Sequence, residues 1–397
     1  MLSLRLRPTR PANPICRLYH FALRHWKVLS LLAFLVLLEL VFHVRSFRID
    51  RPTTDLDPPF HVGCQEPILG TAARANATLM MLARNSDVDG AVASVKSVQT
   101  QFNKHFGYPW VFLNNEPWSD DFVTKVREAG AGVSMTFETI PARMWGYPAW
   151  IDREAAREKM DQMQNAGIMY AGTESYHHMC RFQSGFFYDH PALKPYKWYW
   201  RVEPDISFTC SITYDPFVEM AKHGKTYGYT IALWENGRTA ASLFRKLSTY
   251  KADMHFPTTS LWKAMMAASY MPWPFRYLLS FLRNRDANGD LWNMCHFWSN
   301  FEIADMDFFR SQQYRDMFRF LDEEGGFYYE RWGDAPVHSL AAAMLLRPEQ
   351  VHHFSDFGYR HADFQYCTEE LGCKCTCDPA IKIIDGSCFN SIKSTVM

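Results

Sequence analysis

The sequence predicts an α/β protein with a mainly parallel central sheet flanked by helices, carried behind an N-terminal transmembrane helix. Three observations predict it. From residue 77 onward, short apolar runs alternate with helical patterns, and strands joined through helices pair in parallel. Residues 28–44 are apolar except for Ser30, Glu39 and His43, a run just long enough to cross hydrocarbon as a helix. The 397-residue chain is 48% hydrophobic, enough for one large core or two ordinary ones.

Six basic residues (Arg5, Arg7, Arg10, Arg17, Arg24 and Lys27) precede the apolar run, while Arg45, Arg48 and Arg51 follow it. That bias favours a cytosolic N-terminus. A cleaved signal peptide fits less well, because Phe42-His43-Val44-Arg45 offers no small-residue cleavage site. Glu39 would suit a buried helix of a soluble protein, since a carboxylate in lipid is costly unless protonated or paired. The expected organisation is a cytosolic tail at 1–27, a signal-anchor at 28–44, a proline-bearing stem at 45–64 and a lumenal domain at 65–390.

Nine of the ten cysteines follow the span, where disulfides can form. An odd number leaves at least one thiol free or bridging chains. Cys373, Cys375 and Cys377 do not have zinc-ribbon spacing, so they are expected in disulfides. Cys180 and Cys295 either pair or pack as small apolar groups. Asn76-Ala77-Thr78 is a glycosylation sequon.

The domain elements then follow in order. Thr78 to Ala83 reads as a buried strand ending at Arg84-Asn85-Ser86. Asp87 is expected to cap a helix with apolar positions Val88, Val92, Val95, Phe102 and Phe106. A strand at Trp110 to Leu113 precedes a helix from Ser119 to about Ala129, stopped by Gly130. A strand from Val133 to Ile140, a helix from Asp152 to about Ala166 and a strand at Tyr196 to Val202 complete the alternation. Residues 258–283 are rich in aromatic residues and Met but interrupted by Lys263, Pro272, Pro274 and Arg276; helices at a surface or lid are expected there.

Lys+Arg and Asp+Glu balance at 42 each, so no global field argues for nucleic acid. The 16% aromatic content, with 13 Trp, 19 Tyr and 30 Phe, suits a sugar cleft or a large core equally. Glu203-Pro204-Asp205 ends a strand with two carboxylates, which suit a hard divalent cation bridging a diphosphate. Acidic turns after strands are also common, and the tripeptide by itself does not decide between these.

Arg201-Val202-Glu203-Pro204-Asp205 and three further stretches resemble the fungal Golgi α-1,2-mannosyltransferase family. The others are Ser175 to Phe182, Cys295 to Ile303, and Gly325 to His338. The likeness runs in order over about residues 75–367, and such long aromatic strings are very specific. It implies a GT-A-type fold, GDP-mannose as donor, Mn2+ as cofactor and retention of anomeric configuration. By that resemblance Glu203 and His361, in Gly358-Tyr359-Arg360-His361, bind the metal. Arg84 contacts the nucleotide, Asp205 and Asp334 join the donor-binding set, and Tyr176 lies beside the acceptor sugar. Glu302 is the candidate nucleophile, forming a covalent intermediate or only stabilising charge on the sugar. His296 and His338 read as hydrogen-bonded core histidines. His177 stands where the family suggests arginine, and Trp292-Asn293 where Tyr-Asn is usual.

The resemblance further implies a single-pass type II protein of the Golgi membrane, acting on a mannosylated glycoprotein or glycan in O-linked or N-linked elongation. Oligomeric state stays open. A mannosylphosphate transferase of the same family and a non-catalytic lectin-like membrane protein are the alternatives.

Overall fold

The computed structural model describes residues 24–48, 57–66, 74–383 and 388. The basic tail before Arg24 and the proline-bearing stretch 49–56 lie outside these. The first helix, Trp26–Ser46, is slightly longer than the expected span; its most apolar 18 residues have a mean hydropathy of 2.2, and none of its residues is more than partly buried. After it, Asp57 is already part of the domain: it accepts from Lys225 (2.5 Å) and His352 (2.8 Å), and Phe60 stacks on His352.

Among the described residues fifteen strands follow: β1 (Ala77–Leu82), β2 (Trp110–Asn114), β3 (Met135–Thr139), β4 (Trp198–Val202), β5 (Ile206–Phe208), β6 (Tyr227–Tyr229), β7 (Ala232–Trp234), β8 (Met266–Ala267), β9 (Leu291–Trp292), β10 (Cys295–Phe297), β11 (Phe301–Asp305), β12 (Val351–His353), β13 (Tyr359–His361), β14 (Phe364–Tyr366) and β15 (Lys382–Ile383). Seven build the central sheet in the order β12-β6-β11-β4-β1-β2-β3. All its neighbours are parallel except around β11, which runs antiparallel to both β4 and β6. The sheet is therefore mainly parallel, as the alternation predicts. Strands β2 and β4 are buried along their whole length and β1 along nearly all of it, which is why they read as continuous apolar runs.

Helices form where their caps and apolar stripes agree. Ser119 accepts from the Phe122 amide and opens Asp120–Ala129, which buries Phe122, Val126 and Ala129. Asp152 likewise caps Arg153–Asn165. One expectation fails at Asp87. Its carboxylate accepts from the Arg84 amide (2.9 Å) and guanidinium (3.1 and 3.0 Å), so it closes a 3-10 turn and leaves Val88–Val98 without a side-chain cap. A second fails in residues 258–283. Only Ser260–Ala264 is an α-helix, followed by a 3-10 turn at Tyr277–Leu279, because Pro272 and Pro274 remove donors and resist helix continuation.

Four disulfides tie the described residues together: Cys64–Cys373, Cys210–Cys375, Cys295–Cys388 and Cys367–Cys377. The Cys373-Lys374-Cys375-Thr376-Cys377 run is thus a disulfide hub, as expected. Cys180 does not pair with Cys295; it is a buried free thiol. Asn76 of the sequon is exposed, its amide donating to Pro195 O at 2.7 Å.

One buried acid carries a stability prediction. Burial pushes the Asp356 carboxyl up from 3.8 to about 7, only partly offset by Tyr214. The folded state therefore holds this proton more tightly than the unfolded chain. The stabilisation is complete below about pH 4 and is lost as pH rises through 7, on the order of 4 kcal/mol in all. Asp356→Asn is expected to raise Tm at pH 8 and leave it nearly unchanged at pH 4, which paired thermal melts would check.

Candidate active site

Two strands and one helix assemble the site. In the β4–β11 pairing, Glu302 lies directly opposite Arg201, so both side chains leave the same face of the sheet. The helix Asp334–Leu345 covers that face, and Asp334 and His338, four residues apart on it, project toward the same place.

Arg201 is the electrostatic hub. Its guanidinium is buried, donating to Asp334 Oδ2 at 2.5 Å and to Glu203 Oε1 through two nitrogens. A buried cation is tolerable only when paired, and here two carboxylates share it. Ser299 donates to the same Asp334 oxygen at 2.8 Å. Burial alone would raise Asp334, but Arg201, with help from His338 and Ser299, holds it below the usual carboxylate range. Asp334 also opens its helix, where the backbone dipole favours an anion.

Glu302 is fully buried on a strand. Its Oε2 meets Tyr227 Oη at 2.5 Å and His338 Nδ1 at 2.8 Å, while Oε1 has no hydrogen-bond partner. His338 Nε2 lies 3.0 Å from Gln183 O. A carbonyl only accepts, so Nε2 carries hydrogen. The remaining proton between Nδ1 and Glu302 Oε2 sits on one or the other, and the pair has zero net charge either way. Burial raises the Glu302 carboxyl above its ordinary value, with His338 offsetting part of the rise.

The small sheet β15-β14-β13-β5 carries His361. Pairing of β13 with β5 sets His361 opposite Ile206, the residue after Glu203-Pro204-Asp205. His361 Nδ1 is buried without a partner, and Trp298 packs edge-on against its ring at 5.2 Å. The Glu203 side chain is 29% exposed. Glu203 offers a solvent-reachable carboxylate and His361 an unpartnered imidazole nitrogen, donor types that suit a divalent transition ion. Cys210, Cys367 and Cys375 also cluster, but all three are in disulfides.

Asp205 is placed beside this group but turned differently. It is exposed at φ 61°, and its amide donates to Gly90 O at 3.2 Å. A Cβ on Gly90 would lie 2.6 Å from the Asp205 carboxyl, so Gly90 is needed to let that carboxylate rest at the start of Val88–Val98. Arg84 leaves the carboxyl end of β1, which runs parallel to β4, and so emerges from the same sheet edge as Glu203. Its side chain is 68% exposed.

Tyr176 lies on the helix Glu174–Gly185. Arg331 donates to Tyr176 Oη at 2.9 Å, stands over its ring at 5.3 Å and reaches Glu235 at 3.4 Å. His177 is buried between Phe327 O (2.6 Å) and Ala171 O (2.7 Å); it ties the short helix Gly326–Tyr329 to the turn at Ala171. His296 is buried on β10 as expected, but its Nδ1 has no hydrogen-bond partner. A groove of about 500 Å³ containing Arg181 and Arg315 includes none of the cluster residues. Arg181 and Arg315 are already matched by Asp322 and Asp189.

Sequence reasoning missed Arg201, Tyr227 and Arg331, and underrated His338. Arg201 had a signal: an arginine inside a continuous apolar strand must have buried partners. Tyr227 had none, because only sheet order makes it a neighbour of Glu302.

A family model described as glycolipid 2-alpha-mannosyltransferase matches residues 54–395. The chain is 43% identical over 389 residues to O-glycoside alpha-1,2-mannosyltransferase homolog 4 of Schizosaccharomyces pombe, covering 91% of this chain and 87% of that one. Its structure resembles mannosyltransferase Ktr4p of S. cerevisiae in complex with GDP, with TM-score 0.71, 34% identity and 85% and 86% of the two chains covered. It also resembles core-mannan synthase A of Aspergillus fumigatus in a Mn/GDP form, with TM-score 0.72, 34% identity and 86% and 91% coverage.

Proposed function

Because this chain belongs to the glycolipid 2-alpha-mannosyltransferase family, we propose that it transfers mannose from GDP-mannose to the 2-hydroxyl of an acceptor mannose, with retention of configuration. The observation that carries the reading is Glu302: a buried carboxylate with one oxygen held by Tyr227 and His338 and the other without a partner. It sits one strand from Arg201, which joins Glu203 to Asp334.

Departure of GDP leaves a cationic sugar. The unpartnered Glu302 oxygen supplies the opposing negative charge, and its fixed orientation avoids reorganisation during reaction. Tyr227 and His338 hold the second oxygen, so the carboxylate cannot rotate away. Glu203 and His361 would hold Mn2+, whose chemistry when bound is to offset the diphosphate charge on the leaving group. The relative crystallised in a Mn/GDP form supports that choice. Arg84 takes the nucleotide, Asp205 and Asp334 serve the donor, and Tyr176 faces the acceptor.

The helix Trp26–Ser46 fits a single-pass anchor. We place it in the Golgi membrane with the domain lumenal, and four disulfides support an oxidising compartment. The acceptor belongs to mannosylated O-linked or N-linked glycans.

The test incubates the purified chain with GDP-mannose, Mn2+ and methyl α-mannoside. An α-1,2-linked disaccharide that disappears with EDTA is expected. A mannosylphosphate product, or donor binding without turnover, would overturn the reading.

His338→Phe tests the positioning of Glu302. It keeps bulk but removes a donor, so kcat is expected to fall roughly 10²-fold with little change in KM. His338 holds the Glu302 carboxyl down, so its loss raises that carboxyl further. The acidic limb of the pH–rate profile should therefore move to higher pH, an effect that loss of packing alone would not produce.

A further inference from the structure

We infer that residues 270–282 insert into the bilayer beside the anchor helix, docking the catalytic domain flat on the membrane that carries it. This goes beyond the proposed activity but rests on reading Trp26–Ser46 as the membrane span.

The first observation is how the helix is held. Glu39, within the apolar run, uses both carboxylate oxygens on the domain: Arg276 Nη2 donates to Oε1 at 2.6 Å, and the Trp273 amide donates to Oε2 at 3.2 Å. One turn further on, His43 Nε2 meets Asp290 Oδ1 at 2.8 Å, and that oxygen also accepts from the Ser269 amide. Glu39 and His43 share one helix face, so a stripe of the helix is docked along residues 269–290.

Depth follows from helix geometry. At a rise of 1.5 Å per residue, Glu39 lies about 8 Å below residue 44, the lumenal end of the apolar run. The hydrocarbon is about 30 Å thick, so a group contacting Glu39 sits within the near leaflet. Trp273 and Arg276 make that contact, and their segment must reach the same depth. The pairing also answers the objection that Glu39 raises against a membrane span. An intramembrane carboxylate is costly alone and tolerable when paired with a cation.

The second observation is the surface of the segment. Tyr270 (78%), Trp273 (63%), Phe275, Tyr277, Leu278 and Phe281 (73%) are all more than half exposed. Outside the anchor helix, no other short stretch of the described residues exposes so many large apolar side chains. Trp and Tyr favour the membrane interface, and interfacial segments bury their apolar side about 5–10 Å into the headgroup–acyl boundary. Continuity with the anchor helix selects the occupant: the lipid that surrounds one surrounds the other.

The segment is also tied to the candidate cleft. Asn284 donates from its amide to Ala241 O at 2.9 Å and from its side chain to Gly237 O at 3.0 Å. The loop it grips begins at Glu235, the partner of Arg331 beside Tyr176. Docking therefore fixes the cleft's height above the bilayer and restricts acceptors to glycans within reach of that zone.

The experiment places spin labels on the full chain in nanodiscs of phosphatidylcholine and phosphatidylethanolamine, each holding one chain. Labels go at Leu278→Cys in the segment, Leu35→Cys in the helix and Lys159→Cys on the exposed helix Arg153–Asn165. Leu278→Cys is expected to collide with oxygen like Leu35→Cys and to meet a water-soluble nickel chelate several-fold less often than Lys159→Cys. If the Leu278 label meets nickel as often as the Lys159 label while the Leu35 label stays protected, docking is overturned and the anchor stands. If the Leu35 label is also exposed to nickel, the anchor reading falls with it. Protection of Leu278 only in discs holding two chains would make the occupant a second copy and overturn the proposal.

Discussion

Glu302→Gln is expected to reduce kcat by roughly 10³-fold or more while leaving the KM for GDP-mannose within a few-fold of wild type. The substitution is nearly isosteric, and Tyr227 and His338 keep a partner on the amide. Fold and donor binding should therefore survive, with only the negative charge facing the sugar removed. Steady-state kinetics and donor titration on the same preparation would check both halves. A second signature is the pH profile. Burial raises the Glu302 carboxyl, and the ionised form is the active one. Wild-type activity is thus lost as pH falls through a value above the usual carboxylate range, and the residual activity of Glu302→Gln should lack that limb. A variant as active as wild type would remove Glu302 from the chemistry.

The second large effect is expected at Glu203. Glu203→Gln removes one of two proposed metal donors and one of the two carboxylates that neutralise Arg201. Loss of about 10²–10³-fold in turnover at low Mn2+, with partial recovery at high Mn2+, is the expected result. His361→Ala should show the same metal dependence without disturbing Arg201. Titrating Mn2+ against the three proteins separates the two roles, because only Glu203→Gln also unbalances the buried ion cluster. If neither variant changes the Mn2+ requirement, the two residues do not hold the ion.

Much of this architecture was legible early because it depends on local chemistry. Ser119 and Asp152 cap their helices as their positions suggest, and buried strands such as Trp198–Val202 read as apolar runs. Expectations failed where two local rules competed. Asp87 looked like a cap, but Arg84 three residues earlier offered a charged partner and won its carboxylate. Residues 258–283 looked helical in composition, yet the two prolines leave them mostly irregular.

The sequence by itself determined the α/β class, the membrane-length helix, the disulfide-rich character and, by resemblance, the residues to examine. These follow from periodicity, composition and side-chain type, each of which acts over a few residues. Only the tertiary structure decided what those residues do to one another. Glu302 and Arg201 are 101 positions apart and meet because β11 runs antiparallel beside β4. His361 lies opposite Ile206, three residues past Glu203, because β13 pairs with β5, and Tyr227 reaches Glu302 because β6 borders β11. Glu39, awkward as an isolated letter in an apolar run, finds Arg276 across 237 residues. Strand order and register are set by long-range packing, and no local pattern in the chain records them.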